Sequence, residues 1–192
     1  IVLHVRRASK SGFTGQLFDT MRSGTLLRIE GPLGQFWFRT ESPRPALFVG
    51  GGTGYAPLRA MLRQLIATGD RRPVALYWGG RDVPDLYEHE WLQALQQHRA
   101  GFDYCPVLSG PPADAARPWT GRRGLVHAVV LAEHADLSGC DVYASWPPAM
   151  SEAIRGEFTR RGLPREQLFF DSFDYAPDTL AKLTGVPAPE AQ

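Results

Sequence analysis

The stretch Ala46-Leu47-Phe48-Val49, followed directly by Gly50-Gly51-Gly52-Thr53-Gly54-Tyr55-Ala56-Pro57, decides the fold of this chain. Four consecutive apolar residues are typical of a strand that is buried on both faces of a parallel sheet. The glycines let the backbone turn sharply, and apolar residues then recur at helical spacing up to Gly69: Leu58, Met61, Leu62, Leu65 and Ile66. A strand, a glycine loop and a helix in this order form the setting in which a helix N-terminus binds a diphosphate.

The same alternation continues towards the end of the chain. Apolar stretches predict further strands over residues 74–78, 102–108, 141–145 and 168–173, with helices between them. Asp85 and Glu88 predict a capping box at the start of the helix that carries Trp91, Leu92 and Leu95. The pattern therefore predicts an α/β fold, a five-stranded, parallel, doubly wound nucleotide-binding sheet within residues 43–175.

Residues 1–42 have a different pattern, which favours extended structure over residues 1–6, 26–30 and 36–38. Between the first two stretches lies a short predicted helix, with Thr14 as its N-cap and Gly24 at its end. Residues 176–192 are rich in Pro and Ala, and we expect a peripheral tail. Because the chain opens in mid-strand without a methionine, we interpret it as a piece of a longer protein.

Composition narrows the function classes. The 192 residues include 21 basic and 20 acidic side chains, and this near balance argues against a nucleic-acid partner. No apolar run approaches the roughly 18 to 20 residues that cross a bilayer, so we expect no membrane association and a cytoplasmic location. The two cysteines and five histidines show no metal-ligand spacing, and we expect no metal site.

Open α/β sheets bind ligands beyond the carboxyl ends of their strands, and several small or polar residues follow those ends here. From the glycine loop we assign cofactor binding to Gly51, Gly52, Thr53, Gly54, Tyr55 and Pro57. From the next loops we assign it to Gly79, Gly80, Arg81, Trp146, Pro147 and Pro148. The alternative is a glycine-rich turn without a ligand. Arg81, which would favour a ribose 2′-phosphate, stands beside Asp82, which would favour a ribose diol, so the choice between these two nucleotide types stays open.

Seven motifs, in order along residues 1 to about 175, carry a resemblance to a known family. They are Gly31-Pro32-Leu33-Gly34, Gly50 to Pro57, Tyr77-Trp78-Gly79-Gly80-Arg81 with Asp85-Leu86-Tyr87, Pro106-Val107-Leu108-Ser109, Gly121-Arg122-Arg123-Gly124, Val142-Tyr143 with Pro147-Pro148-Ala149-Met150, and Phe170-Asp171-Ser172-Phe173. The chain resembles the ferredoxin–NADP reductase superfamily. It is most similar there to NAD(P)H:flavin oxidoreductases and to the reductase components of bacterial ring-hydroxylating oxygenases.

This resemblance implies that residues 1–42 are the C-terminal part of an antiparallel flavin-binding β-barrel, with Gly12 and Thr14 at the flavin pyrophosphate. A plain N-cap is the alternative role for Thr14. The resemblance adds Tyr87 and Met150 to the cofactor-binding residues. It also implies catalytic roles for Ser145, which stands where relatives have a cysteine beside the nicotinamide, and for Asp171 and Phe173 beside the flavin.

One departure from the family's pattern, at Trp146, and one residue that matches it, Asp171, leave alternatives open. Trp146 replaces a glycine, and its ring either narrows the nicotinamide pocket, rotates outward or reflects ordinary drift in a tolerant loop. Asp171 either assists flavin protonation or caps a strand end at the surface.

The resemblance implies an oxidoreductase that passes hydride from NADH or NADPH to bound FAD, or alternatively FMN. Electrons would continue to free flavin, or to an iron–sulfur protein or oxygenase component. No C-x4-C-x2-C run for a plant-type cluster occurs in the chain. The alternative is a non-catalytic module that binds nicotinamide nucleotide or docks an electron-transfer partner.

Overall fold

A six-stranded parallel sheet forms the centre of the structure. The computed structural model describes residues 1–7, 12–31, 33–111, 119–146 and 151–172, with backbone alone at 151–153 and 172. These residues divide into two compact units, with the boundary between Gln35 and Phe36. The domain limits at residues 42 and 175 stay a prediction.

The strands are β1 (Ala46–Gly51), β2 (Val74–Gly80), β3 (Phe102–Leu108), β4 (Arg122–Arg123), β5 (Asp141–Trp146) and β6 (Leu168–Ser172). The helices are α1 (Gly12–Asp19), α2 (Tyr55–Thr68), α3 (His89–His98), α4 (Val126–Glu133) and α5 (Ser151–Arg160). All neighbouring strands are parallel, in the order β4-β3-β2-β1-β5-β6. The predicted parallel α/β fold is therefore confirmed.

Helices cover both faces of this sheet. Leu58, Leu62 and Leu65 of α2 pack with Leu92 of α3 in one buried cluster on the first face. Val126 and Val130 of α4 pack with Ile154 and Phe158 of α5 in a second cluster on the other face. A strand buried on both sides needs apolar residues at consecutive positions, which explains the apolar run in β1.

The sheet has one strand more than predicted. Arg122–Arg123 pairs with Val107 and Leu108 at the end of β3. Two charged, exposed residues carry no strand pattern, so only the pairing partner identifies β4. Ile66 also departs from its predicted core position, because 42% of it is exposed.

The capping box lies one turn earlier than predicted. Asp82 and Asp85 exchange side-chain and backbone hydrogen bonds around a single 3-10 turn, Val83–Asp85. The helix α3 begins only at His89, and the Glu88 side chain makes no capping bond to it. The Glu88 carboxylate instead accepts hydrogen bonds from Tyr55 and Arg59.

Residues 1–35 contain one helix, α1, and no strand among the described positions. The extended stretches predicted over residues 1–6 and 26–30 form no strand ladder among the described residues, and a strand requires such a ladder for its backbone groups. Thr14 is the third residue of α1 and is therefore not its N-cap, and α1 ends at Asp19, before the predicted end at Gly24. No helix among the described residues is long and apolar enough to span a bilayer.

The start of β2 is held by a largely buried ion pair, which generates a prediction. Arg72 Nη2 donates to Asp70 Oδ2 at 2.8 Å, and the guanidinium lies 4.3 Å from the Phe38 ring centre. The bond from Arg72 lowers the pKa of Asp70 below its ordinary 3.8. A lowered carboxyl pKa stabilises the fold above the unfolded pKa, and this stabilisation is lost as pH falls through the folded pKa.

We expect Asp70→Asn to lower the free energy of unfolding by about 1 kcal/mol at neutral pH, because one charge-assisted bond is lost. The difference from wild type should shrink below the ordinary aspartate pKa, as followed by thermal unfolding against pH. Asp103→Asn, at an exposed carboxylate, serves as the control and should match wild type. An Asp70→Asn difference that is constant down to the acid limit would contradict this assignment.

Candidate functional site

The strand order reverses beside β1, which defines a crevice at the carboxyl edge of the sheet. From β1 the chain builds β2, β3 and β4 on one side and then returns to build β5 and β6 on the other. Gly50 pairs with Ser145 of β5, and Gly51 pairs with Gly79 of β2. Open α/β sheets bind ligands at this switch point, so the crevice is the candidate site.

The glycine loop places a helical N-terminus at this crevice. After β1, residues Gly52–Gly54 form a 3-10 turn that continues directly into α2 at Tyr55. Gly52 has a φ of +54°, a left-handed conformation that glycine adopts without strain. The first N–H groups of such a turn have no partner within the helix, and they carry the positive end of its dipole. Pro57, third in α2, lies in the first turn, where a missing N–H is tolerated.

Gly54 is a glycine because β5 leaves no room for a side chain. A Cβ at Gly54 would lie 2.8 Å from the carbonyl carbon of Ser145, closer still to its oxygen, and 3.2 Å from its Oγ. Gly51 differs, since a Cβ there would meet nothing nearer than 3.9 Å, at Trp146. The role of Gly52 and Gly54 at a pyrophosphate stays a prediction, and the structure gives Gly54 a packing reason of its own.

The glycines that end β2 are also packing positions. A Cβ at Gly79 would lie 3.1 Å from Val126 Cβ, and one at Gly80 would lie 3.0 Å from Asp85 Cβ. Arg81 follows at the surface, while Asp82 and Asp85 bond to one another. Because the Asp82 carboxylate is used in this turn, Arg81 is the more available charged group at this end of β2.

A cluster of aromatic side chains contacts the glycine loop. Tyr55 and Trp78 are fully buried and stack with ring centres 4.1 Å apart. Tyr87 and Trp78 meet in a T-shaped arrangement with ring centres 5.0 Å apart, and 48% of Tyr87 is exposed. The Trp78 indole Nε1 donates to the carbonyl oxygen of Gly52 at 2.9 Å.

Two charged residues complete this cluster. The Tyr55 hydroxyl donates to Glu88 Oε2 at 2.8 Å, and Arg59 Nε donates to both Glu88 oxygens at 2.8 and 2.6 Å. Burial, and then Glu88, raise the pKa of Tyr55, so its hydroxyl stays protonated and donates. No local sequence pattern connects Trp78, Arg59 and Glu88 with the glycine loop, because their contacts span 26 to 33 residues along the chain.

Ser145 and Trp146 point to opposite faces of β5. Ser145 is fully buried beside Gly54, and its Oγ has no hydrogen-bond partner among the described residues. Trp146 is 2% exposed and packs against Phe158 and Phe170, with ring centres 6.3 and 5.3 Å away. The tryptophan ring thus lies in the core under α5, and its role at a cofactor stays a prediction.

Asp171 is the register partner of Ser145 on the neighbouring strand β6. Burial raises the pKa of Asp171, which is partly exposed. Paired residues of parallel strands face the same side, so the structure brings these two predicted catalytic residues together. The remaining candidates Phe173, Pro147, Pro148 and Met150 lie outside the described residues.

The predicted flavin contacts lie in the other unit. Gly12 is the first residue of α1 and has a φ of +77°, and Thr14 follows within the first turn. The first N–H groups of a helix have no partner within it, which is the physical basis for anion binding at such a position. Their role at a flavin stays a prediction.

The Gly54 contact generates a test. We expect Gly54→Ala to destabilise the fold by about 2 kcal/mol or more, because the Cβ would overlap the backbone of Ser145. Thermal or denaturant unfolding measures the loss. Gly51→Ala is the matched control, since Gly51 is extended, with a φ of −117°, and has space for a Cβ. A Gly54→Ala variant as stable as Gly51→Ala would show that β5 does not close on the loop.

Known proteins are similar to this chain in sequence and in fold. Residues 48–156 match the family of oxidoreductase NAD-binding domains. Protein RfbI of Salmonella typhimurium is 38% identical over 173 residues, which cover 90% of this chain and 51% of that protein. The NAD(P)H-flavin reductase of Aliivibrio fischeri is 32% identical over 180 residues, which cover 91% of this chain and 74% of that enzyme.

A solved structure agrees with these sequence comparisons. The Amycolatopsis cytochrome P450 reductase GcoB has a TM-score of 0.77 and 33% identity, and the match covers 90% of this chain and 52% of that one. The chain therefore spans about half the length of RfbI and of GcoB. The family match covers more than half of the 192 residues, across the switch point and its loop. This chain belongs to the oxidoreductase NAD-binding domain family of ferredoxin-reductase-type proteins.

Proposed function

We propose that this chain is the nicotinamide-nucleotide-binding part of an oxidoreductase that passes hydride from NAD(P)H to a flavin. The observation that carries the proposal is the glycine loop at the switch point, where the 3-10 turn that leads into α2 begins beside the buried end of β5. The similarity to an NAD(P)H-flavin reductase over most of both chains supports the same reaction class.

The residues of the crevice fit a dinucleotide. The N–H groups at the start of Gly52–Gly54 suit a diphosphate, which is the acceptor-rich group of the cofactor. Space beside Gly51 leaves room for close approach, and the buried Ser145 hydroxyl has a hydrogen-bonding capacity that no described residue uses. Arg81, exposed at the end of β2, is suited to the adenosine end, and it favours a 2′-phosphate over a diol.

Within this proposal the protein positions reactants, and the nicotinamide and flavin supply the hydride chemistry when bound. The loop fixes the diphosphate, and Ser145 on β5 faces the same side of the sheet as Asp171 on β6. Burial raises the pKa of Asp171, so its carboxyl keeps a proton to higher pH than an ordinary aspartate does. Positioning of this kind contributes to hydride transfer mainly by fixing the orientation of the reactants.

Two classes of acceptor are proposed for the electrons of the reduced flavin. Free flavin is one acceptor class, in line with the flavin reductase among the relatives. A separate redox protein, such as an iron–sulfur carrier or an oxygenase component, is the other class, in line with the similarity to a cytochrome P450 reductase. FAD, or alternatively FMN, would be the bound flavin, and the cytoplasmic location stays a prediction.

Flavin reduction tests the proposal directly. We expect the chain, mixed anaerobically with FAD or FMN, to accelerate the loss of oxidised-flavin absorbance when NADH or NADPH is added. The same mixture without protein gives the background rate, and comparison of the two nucleotides shows which one is used. Nucleotide binding without faster flavin reduction would instead support the non-catalytic binding module, and no nucleotide binding would contradict both.

Ser145 provides a second test, with opposite expectations for stability and rate. We expect Ser145→Ala to slow flavin reduction severalfold, because in this proposal the hydroxyl contacts the nicotinamide end of the cofactor. The variant should unfold at the same temperature as wild type or higher, since it removes a buried hydroxyl without a described partner. Ser109→Ala, at a hydroxyl that bonds Gly80 O at 3.2 Å, is the control and should keep the wild-type rate. An unchanged rate in Ser145→Ala would remove this residue from the site.

A further inference from the structure

Trp78 is the one side chain of β2 for which the structure describes a hydrogen bond to the glycine loop. Its indole Nε1 donates to Gly52 O at 2.9 Å. The same carbonyl accepts the backbone N–H of Tyr55, so two donors hold it in place. The ring itself is fully buried. Its orientation is therefore fixed by packing before any ligand arrives.

The direction of this bond has a consequence for the next amide. In a trans peptide the C=O and N–H groups point in opposite directions. When the indole fixes the Gly52 carbonyl towards the sheet, the N–H of Thr53 in the same peptide must point away from it. That direction is towards the start of the 3-10 turn, where the unpaired N–H groups of a helix N-terminus are found.

The surroundings of Trp78 suit a positioning role. Tyr55 stacks on one face of the indole at 4.1 Å, and Tyr87 meets the indole in a T-shaped arrangement with ring centres 5.0 Å apart. Tyr55 is anchored in turn through Glu88, which accepts both the Tyr55 hydroxyl and Arg59 Nε. The indole thus packs against two rings, and one of them, Tyr55, is fixed by the Arg59–Glu88 ion pair. This pair is mostly buried, with side-chain relative exposures of 15% for Arg59 and 22% for Glu88.

We propose that Trp78 is a positioning residue for the diphosphate of the nucleotide: its indole N–H orients the Gly52–Thr53 peptide so that the Thr53 amide meets a phosphate oxygen. This inference rests on the proposed function and deepens it, because it assigns diphosphate recognition to a buried residue on β2. Trp78 itself does not touch the ligand. Trp78 therefore affects the affinity for ligands that carry the diphosphate, and it does not affect the affinity for a nucleoside without phosphates.

Binding of ADP and of adenosine to the full chain, measured by titration calorimetry, tests the proposal. Trp78→Phe keeps an aromatic ring against Tyr55 but removes the N–H donor. We expect its affinity for ADP to fall about three- to tenfold, the usual effect of one lost hydrogen bond, while its affinity for adenosine stays unchanged. Trp91→Phe, at a partly buried tryptophan of α3 that packs against the same core, should bind both ligands as wild type does.

A spectroscopic measurement on the wild-type chain keeps the test independent of how well the variant folds. The five tryptophans give five indole N–H resonances in ¹⁵N-labelled protein, and that of Trp78 is assigned through its proximity to the Tyr55 ring. We expect ADP to shift this resonance and adenosine to leave it unchanged. Only a diphosphate would bond to the Gly52–Thr53 peptide, whose carbonyl accepts the indole N–H.

Each outcome decides the matter. Equal ADP affinity in Trp78→Phe and wild type, a parallel loss of ADP and adenosine affinity, or an indole resonance that ADP does not move would overturn the role of Trp78 and leave the proposed function standing. Failure of the wild-type chain to bind ADP or NAD(P)H would overturn the proposed function, and the inference with it.

Discussion

The close approach of Gly54 to the backbone of Ser145 is the constraint on which the rest of the carboxyl edge depends. Parallel pairing of β1 with β5 sets their ends side by side, and the loop that leaves β1 must pass directly over the end of β5. Only a residue without Cβ fits at that crossing. The start of α2 is consequently pinned at the point where the strand order reverses, which is the place where an open sheet can accept a ligand.

The strands on the two sides of this crossing, β2 and β5, place different residues beside the loop. On the β2 side, Trp78 and Tyr55 form a stacked, buried base beneath the loop. On the β5 side, the strand alternates, so that Ser145 faces the loop while Trp146 fills the core under α5. The large Trp146 ring is thereby accommodated inside the molecule, and the cost of burying it is offset by its contacts with Phe158 and Phe170.

Local patterns were enough to predict most of the sheet. The apolar run of β1, the helical spacing of α2 with its Gly69 end, and the limits of β3 follow from neighbours in sequence, and the structure confirms them. Other features depend on residues far apart in the chain. Arg122–Arg123 becomes a strand only because β3 pairs with it, and the stretches over residues 1–6 and 26–30 stay irregular without such a partner. The glycines of the site were identified, but the reason for Gly54 lies 91 residues away, in Ser145, and no local pattern contains it.

The central claim is that a dinucleotide binds with its diphosphate against the amides of Gly52–Gly54, between the ends of β1 and β5. A crystal structure of the chain with NAD(P)H bound tests it most directly. The account predicts phosphate oxygens within hydrogen-bond distance of those amides. A diphosphate bound elsewhere, for example among Arg155 and Arg165 in the 630 Å³ cavity between α5 and β6, would contradict it.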